Sequence, residues 1–254
     1  MALLELKNVS KHFGGVKAIT DASFSVKAGE ITGLIGPNGA GKSTVVNLIT
    51  GMLSLTEGTI LLDGREIHLD QPDEVVRHGI ARTFQNIRLL AEASVLANVV
   101  IGFHRHETTS ILSGLLGLPS ARRSTAELNR RGMILLERFG IARFADHPAG
   151  ALAYGHQRRV EMARAVASDP SILLLDEPVA GMNDTEAGEL GSVFRSLAGA
   201  GVGLMLIEHN VRFVTSLCRT VHVLDAGRII ASGTAADVLT NPAVIAAYLG
   251  NVEA

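Results

Sequence analysis

Apolar and polar side chains alternate one for one through the first 30 residues, as in Leu4-Glu5-Leu6-Lys7 and Phe24-Ser25-Val26-Lys27. A period of two turns one face of a segment to a core and the other to water, which predicts antiparallel strands at a sheet edge. Residues 58–67 repeat the pattern around Asp63-Gly64, a dipeptide suited to a tight hairpin. At 31–35, 171–175 and 202–207 the alternation gives way to short, mostly apolar runs, the last two each preceded by a helical stretch. That order predicts a parallel, doubly wound sheet, and hence an α/β fold. The run at 31–35 leads through a glycine-rich turn into a helix from Lys42.

Between 86 and 153 the pattern changes to helical spacing, with apolar positions at Leu128, Met133, Leu135, Leu136 and Phe139. A mostly helical insertion is expected there. Another helix should start after Asn183, with Glu186 at its third position, and end at Gly199-Ala200-Gly201. Asp225-Ala226-Gly227-Arg228 should turn a late hairpin, and 242–249 should form a terminal helix. The expected organisation is a single domain over 1–254, with a core of 1–86 and 160–254 and a helical subdomain of 87–159.

Composition narrows the picture slightly. With 47% hydrophobic and 19% charged residues the chain is of ordinary globular type. A net charge of −2 gives no electrostatic reason to bind nucleic acid or an anionic bilayer. The basic pairs Arg122–Arg123, Arg130–Arg131 and Arg158–Arg159 are expected on solvated helix faces. Cys218, the one cysteine, excludes an internal disulfide and is expected to be a buried, inert thiol. The start lacks the layout of a signal peptide, and apolar runs at 111–118 and 172–175 are too short to span a membrane. The chain is therefore expected to be soluble, and to reach a membrane only through another chain. His104 and His106 lack further ligands at metal spacing and are expected in an exposed loop.

The chemistry begins where the run at 31–35 ends. Gly36-Pro37-Asn38-Gly39-Ala40-Gly41-Lys42-Ser43-Thr44 fits the pattern G-x-x-x-x-G-K-[ST] between a strand and a helix. Glycines let successive backbone N–H groups turn around a phosphate, and the following helix aims its positive end at the same point. Lys42 can reach the β- and γ-phosphates, and the Ser43 hydroxyl suits Mg²⁺. Gly36, Asn38, Gly39, Ala40, Gly41, Lys42, Ser43 and Thr44 are the nucleotide-binding candidates. Farther on, the apolar 172–175 ends in Asp176-Glu177, which sets two carboxylates at the carboxyl edge of a parallel sheet. Asp176 is expected to orient Mg²⁺ or its water, and Glu177 to polarise the attacking water or take its proton.

Between these halves lies Leu152-Ala153-Tyr154-Gly155-His156-Gln157-Arg158-Arg159, at the head of a periodic helix. It resembles the LSGGQ signature of ABC ATPases, and the family's other motifs follow in order. The resemblance implies that Phe13 stacks on adenine and that Gln85 is the Q-loop glutamine and a metal ligand. It implies that 179–183 form the D-loop and that His209 is the switch histidine, acting with Glu177 and Lys42 in hydrolysis. Bound ATP and Mg²⁺ would sit between two ATPase domains packed head to tail. There Ala153, Tyr154, Gly155 and His156 of one domain cover the γ-phosphate held by the other, offering N–H donors and a helix dipole. Three positions depart from the family's commonest pattern: Ala153 for serine, His156 for glutamine and Asn183 for aspartate. The hydroxyl missing at Ala153 is worth about 1 kcal/mol. Outside the resemblance, Phe13 could be core, Gln85 a solvated loop residue and His209 a strand-end histidine.

Residues 81–89 (ARTFQNIRL), 180–183 (AGMN), 206–209 (LIEH) and 247–250 (AYLG) resemble the ATP-binding subunits of bacterial branched-chain amino acid importers. An Arg-rich helix preceded by Leu118-Pro119 is similar as well. That resemblance implies two transmembrane permease subunits, a second ATPase subunit and an extracytoplasmic solute-binding protein as partners. It implies a peripheral position on the cytoplasmic face of the inner membrane, with Arg88, Leu89 and Leu90 near the permease. Import of urea, amides or aromatic acids, lipopolysaccharide export, and a soluble non-transport ABC ATPase remain alternatives.

Overall fold

The computed structural model describes residues 2–103 and 119–249, apart from the side chains of 119–123 and 249. His104, His106, the apolar run at 111–118 and Gly250 lie outside the described residues, as do the side chains of Arg122 and Arg123. The strands are β1 (Leu3–Phe13), β2 (Val16–Lys27), β3 (Ile31–Ile35), β4 (Glu57–Leu62), β5 (Arg65–Glu66), β6 (Ile80–Arg82), β7 (Ile172–Asp176), β8 (Gly203–Ile207), β9 (Thr220–Asp225) and β10 (Arg228–Gly233). The described α-helices are α1 (Lys42–Ile49), α2 (Pro72–Arg77), α3 (Val95–Ile101), α4 (Pro119–Arg138), α5 (Tyr154–Ala167), α6 (Asp184–Gly199), α7 (Val211–Leu217), α8 (Ala235–Leu239) and α9 (Pro242–Leu249). None of them is long and apolar enough to cross a membrane.

Two compact units divide the chain: Met1–Arg82, Ser171–Pro178 and Asp184–Ala254 form one, Thr83–Pro170 and Val179–Asn183 the other. The first holds both sheets. Four antiparallel strands run in the order β2-β1-β4-β5. Leu4 and Leu6 point into the core opposite Leu62 and Ile60, while Glu5 and Lys7 between and after them reach water. Pairing of Leu62 with Arg65 leaves Asp63 and Gly64 as a two-residue turn with φ of 53° and 79°. Both residues are left-handed, the geometry that matches strand twist.

Six strands form the second sheet in the order β10-β9-β3-β8-β7-β6, all pairs parallel except the β9–β10 hairpin. Every residue of β3, β7 and β8 is buried. A strand covered on both faces has no polar face to show, so its sequence reads as a continuous apolar run. Cys218 is buried just after α7, where desolvation pushes its thiol up to about 12 and leaves it unreactive.

The second unit is helical, with Val95, Val99, Leu136, Phe139, Val160 and Ala163 buried. It comprises Thr83–Pro170 together with Val179–Asn183, where the sequence suggests 87–159. The reason is local: β6 stops at Arg82, and α5 runs unbroken past 159 to Ala167. Arg130 pairs in solvent with Glu127, in keeping with a solvated face. Arg158 and Arg159 do not lie on one. They are 1% and 7% exposed, because each guanidinium finds buried acceptors, Arg159 donating to Phe139 O at 3.1 Å.

Candidate functional site

Central strand β3 delivers the loop 36–41 to the start of α1. Gly36 has φ 151°, and a Cβ there would stand 1.9 Å from the carbonyl oxygen of Leu224. Gly41, with φ 108°, passes so close to Ala18 O that a Cβ would come within 2.8 Å of it. The loop is thus pressed against β9 of its own sheet and β2 of the antiparallel one, and must be glycine at both points. α1 begins on Gly41 without a side-chain cap and with no acid in its first turn. Its first N–H groups and dipole are consequently suited to an anion.

Lys42 curls back across the loop, its Nζ donating to Gly36 O at 2.7 Å and Pro37 O at 2.9 Å. Burial pulls its pKa down, while the charges of Glu177 and Asp176 oppose the shift. The ammonium is therefore already among its future neighbours, tethered by carbonyls that a phosphate oxygen can replace.

Asp176 ends β7 and is 5% exposed. Glu177 follows in a left-handed conformation, φ 47°, with its N–H donating to Ile207 O at 2.9 Å. A left-handed non-glycine residue costs about 1–2 kcal/mol, a strain typical of functional positions. His209, just beyond β8, has Nδ1 3.6 Å from Glu177 Oε1, and its side chain is mostly exposed. Arg82 completes this group and was not a sequence candidate. It donates to Asn47 Oδ1 at 2.7 Å and Thr50 Oγ1 at 3.2 Å, and its Nη2 lies 4.0 Å from Asp176 Oδ2. Local sequence carries no signal for that role, which depends on strand β6 pairing with β7.

Phe13 closes β1 and is 46% exposed, so it is not a core residue. Val16 opposite it is 66% exposed, and Lys11 Nζ stands 5.0 Å from the Phe13 ring centroid. An aromatic face is thus available on a hairpin of the first unit.

Gln85 and the signature residues belong to the second unit. Gln85 is exposed, and so are Ala153 and Tyr154, while Gly155 and His156 are partly covered. Ala153 caps α5 with its carbonyl, accepting from the His156 and Gln157 N–H groups, and contributes no side-chain cap. Gln157 pins the preceding loop by donating to Leu152 O at 2.8 Å. His156 packs on Phe144, ring centroids 4.8 Å apart. In the same unit Tyr154 lies against Gly181, and Gly155 faces Met182, so the signature and 179–183 are neighbours. Phe13, 36–44, Asp176, Glu177 and His209 share the first unit; Gln85, 153–156 and 179–183 share the second.

Residues 19–180 match the family described as ABC transporter, and 228–254 that described as branched-chain amino acid ATP-binding cassette transporter. The chain belongs to the ABC transporter family. It is 40% identical over 249 residues to BraF of Pseudomonas aeruginosa, a high-affinity branched-chain amino acid transport ATP-binding protein, covering 98% of each chain. With Escherichia coli LivG, of the same description, it shares 41% over 251 residues and 98% of each. LptB of Haemophilus influenzae, a lipopolysaccharide export system ATP-binding protein, is 32% identical over 250 residues, again 98% of each. A solved ATP-binding cassette of an ABC transporter in its ADP conformation superposes with a TM-score of 0.85 at 33% identity, covering 98% of this chain and 99% of that one. As an ABC ATPase the chain binds and hydrolyses ATP, and the α/β fold with its helical unit is that of the family.

Proposed function

We propose that this ABC ATPase drives a branched-chain amino acid importer. The observation that carries the reading is identity of 40–41% to BraF and LivG across 98% of the chain, reaching through the C-terminal segment at 228–254. In this reading two permease subunits hold the chain on the cytoplasmic face of the membrane, and a second ATPase subunit completes the catalytic pair. A solute-binding protein delivers the amino acid from outside. Arg88 and Leu90, both exposed, and the partly covered Leu89 contribute to the permease-facing surface.

Phosphate oxygens of ATP displace the Gly36 and Pro37 carbonyls from Lys42 and accept from the loop and α1 N–H groups. The purine stacks on Phe13. Ser43 and Asp176, both of the first unit, would offer Mg²⁺ an alcohol and a carboxylate oxygen, hard donors that suit it, and the family resemblance assigns the Gln85 amide as a further ligand. When bound, Mg²⁺ neutralises charge on the β- and γ-phosphates. Glu177 polarises the attacking water, and His209 beside it orients the carboxylate and the γ-phosphate. Ala153, Tyr154, Gly155 and His156 cover the γ-phosphate held by the partner ATPase. ATP thereby becomes part of the interface, and its hydrolysis opens it.

The test is uptake of labelled leucine at low external concentration in a strain lacking this gene and any redundant importer. Wild-type copies should restore uptake and Lys42→Ala copies should not. The 32% identity to LptB favours lipopolysaccharide export as the second reading. Unchanged leucine uptake in the deletion strain would turn the assignment toward export or toward another solute, such as urea, amides or aromatic acids.

A further inference from the structure

Helix α5 carries a buried ion pair that no step above uses. Arg158 and Glu161 have side chains 2% exposed and form an ion pair at 3.2 Å, one turn apart. Arg158 also spans two consecutive peptide units. One guanidinium nitrogen, Nη1, donates to Phe84 O, and the other, Nη2, donates to Gln85 O at 2.7 Å. Glu161 Oε1 accepts from the Phe84 N–H at 3.3 Å. Burial raises the Glu161 carboxyl, against the opposing pull of the Phe84 N–H and Arg158. Taking two charges out of water is costly, and an apolar pair of similar volume commonly stabilises a core as well or better. What an apolar pair cannot do is grip three polar groups of a peptide segment at once. Nor could lysine, whose single ammonium lacks the planar fork that reaches two carbonyls together. The segment gripped ends on Gln85, whose side chain is left exposed. The helix that grips it begins at Tyr154, on the signature loop.

We propose that Arg158 and Glu161 are positioning residues that lock the backbone at Gln85 to the signature helix. Glutamine and signature loop then travel as one piece, so γ-phosphate capture and metal ligation cannot occur out of step. The inference rests on the reading above, in which Gln85 is a ligand of the Mg²⁺ that accompanies ATP.

Arg158→Lys and Glu161→Gln in the full chain test it. Arg158→Lys keeps the positive charge facing Glu161 and loses the fork. Glu161→Gln keeps an oxygen for the Phe84 N–H and leaves Arg158 unneutralised. Hydrogen–deuterium exchange of the nucleotide-free protein should show the 84–87 amides exchanging about tenfold faster in both variants. The Mg²⁺ concentration giving half-maximal phosphate release should also rise about tenfold. Binding of a fluorescent ATP analogue without Mg²⁺ should stay within about twofold of wild type, since the phosphate loop is untouched. Wild-type exchange in both variants would overturn the lock. Faster exchange with an unchanged Mg²⁺ requirement would reduce the pair to a structural role and equally overturn the proposal. A wild-type protein whose phosphate release ignores Mg²⁺ would instead defeat the reading of Gln85, while the exchange rates still judge the lock.

Discussion

Single residues here are defined by what surrounds them more than by what they are. Lys42 is held by two loop carbonyls, and Glu177 is turned by a left-handed backbone toward His209. Arg82 and Arg158 look like ordinary surface cations in the sequence, yet both have buried oxygen partners. His222 is the opposite case, a titratable ring kept neutral. It packs 5.0 Å from Phe24, bonds Ser232 Oγ through Nδ1 at 2.8 Å, and desolvation lowers its pKa from 6.5 to about 4. Between those values the unfolded chain binds more protons than the folded one, so stability is intact above pH 6.5 and falls as pH drops toward 4. The loss amounts to about 3 kcal/mol from this ring. Denaturant midpoints measured from pH 7 to pH 4 should show that decline, and His222→Gln should flatten it. An equally steep acid limb in the variant would assign the effect to other groups.

At the scale of elements, turns and strands follow their local chemistry closely. Both left-handed dipeptides, Asp63-Gly64 and Ala226-Gly227, turn hairpins where their sequence predicts. The P-loop was equally legible, because G-x-x-x-x-G-K-[ST] encodes a conformation as well as a ligand. Its glycines are not equivalent, however. A Cβ at Gly36 would meet Leu224 O at 1.9 Å, while one at Gly39, φ 80°, meets nothing within 4 Å. Gly39→Ala should therefore lower stability by about 1 kcal/mol through backbone strain alone. Gly36→Ala should cost at least about 3 kcal/mol in chemical denaturation, since backbone must move to admit the methyl group. Comparable losses in the two variants would mean that the loop yields freely at Gly36. Contacts across the fold, such as Arg82 with Asp176 and Arg158 with the Phe84 and Gln85 carbonyls, left no local trace. They depend on which strands and helices become neighbours, and a basic pair reads the same whether solvated or enclosed.

For the whole molecule, the proposed site residues are divided between two units, with Lys42, Asp176, Glu177 and His209 in one and Gln85 and 153–156 in the other. The motifs that suggest these residues are local in sequence, whereas the limits of the helical unit depend on where β6 stops and how far α5 continues. With Glu177 replaced, the chain should still bind ATP and complete its partner's site, but turnover should stop. Glu177→Gln is expected to lower steady phosphate release about a thousandfold. With MgATP the variant should also elute, in size-exclusion chromatography, at twice the mass of the nucleotide-free chain when copies of this chain pair with one another, or with its partner ATPase when they do not. Normal turnover would remove Glu177 from its role.

The chain departs for its helical excursion from β6 and returns into β7, and those strands are neighbours, with Ile80 beside Ile172 and Arg82 beside Leu174. Ser171 N–H and Ile172 N–H both donate to Gly79 O, fastening the return next to the departure. An excursion whose two ends are already stitched together adds little closure entropy however long it becomes. Its length can therefore change while the register of β6 and β7, and with it the placing of Asp176 and Glu177, stays fixed.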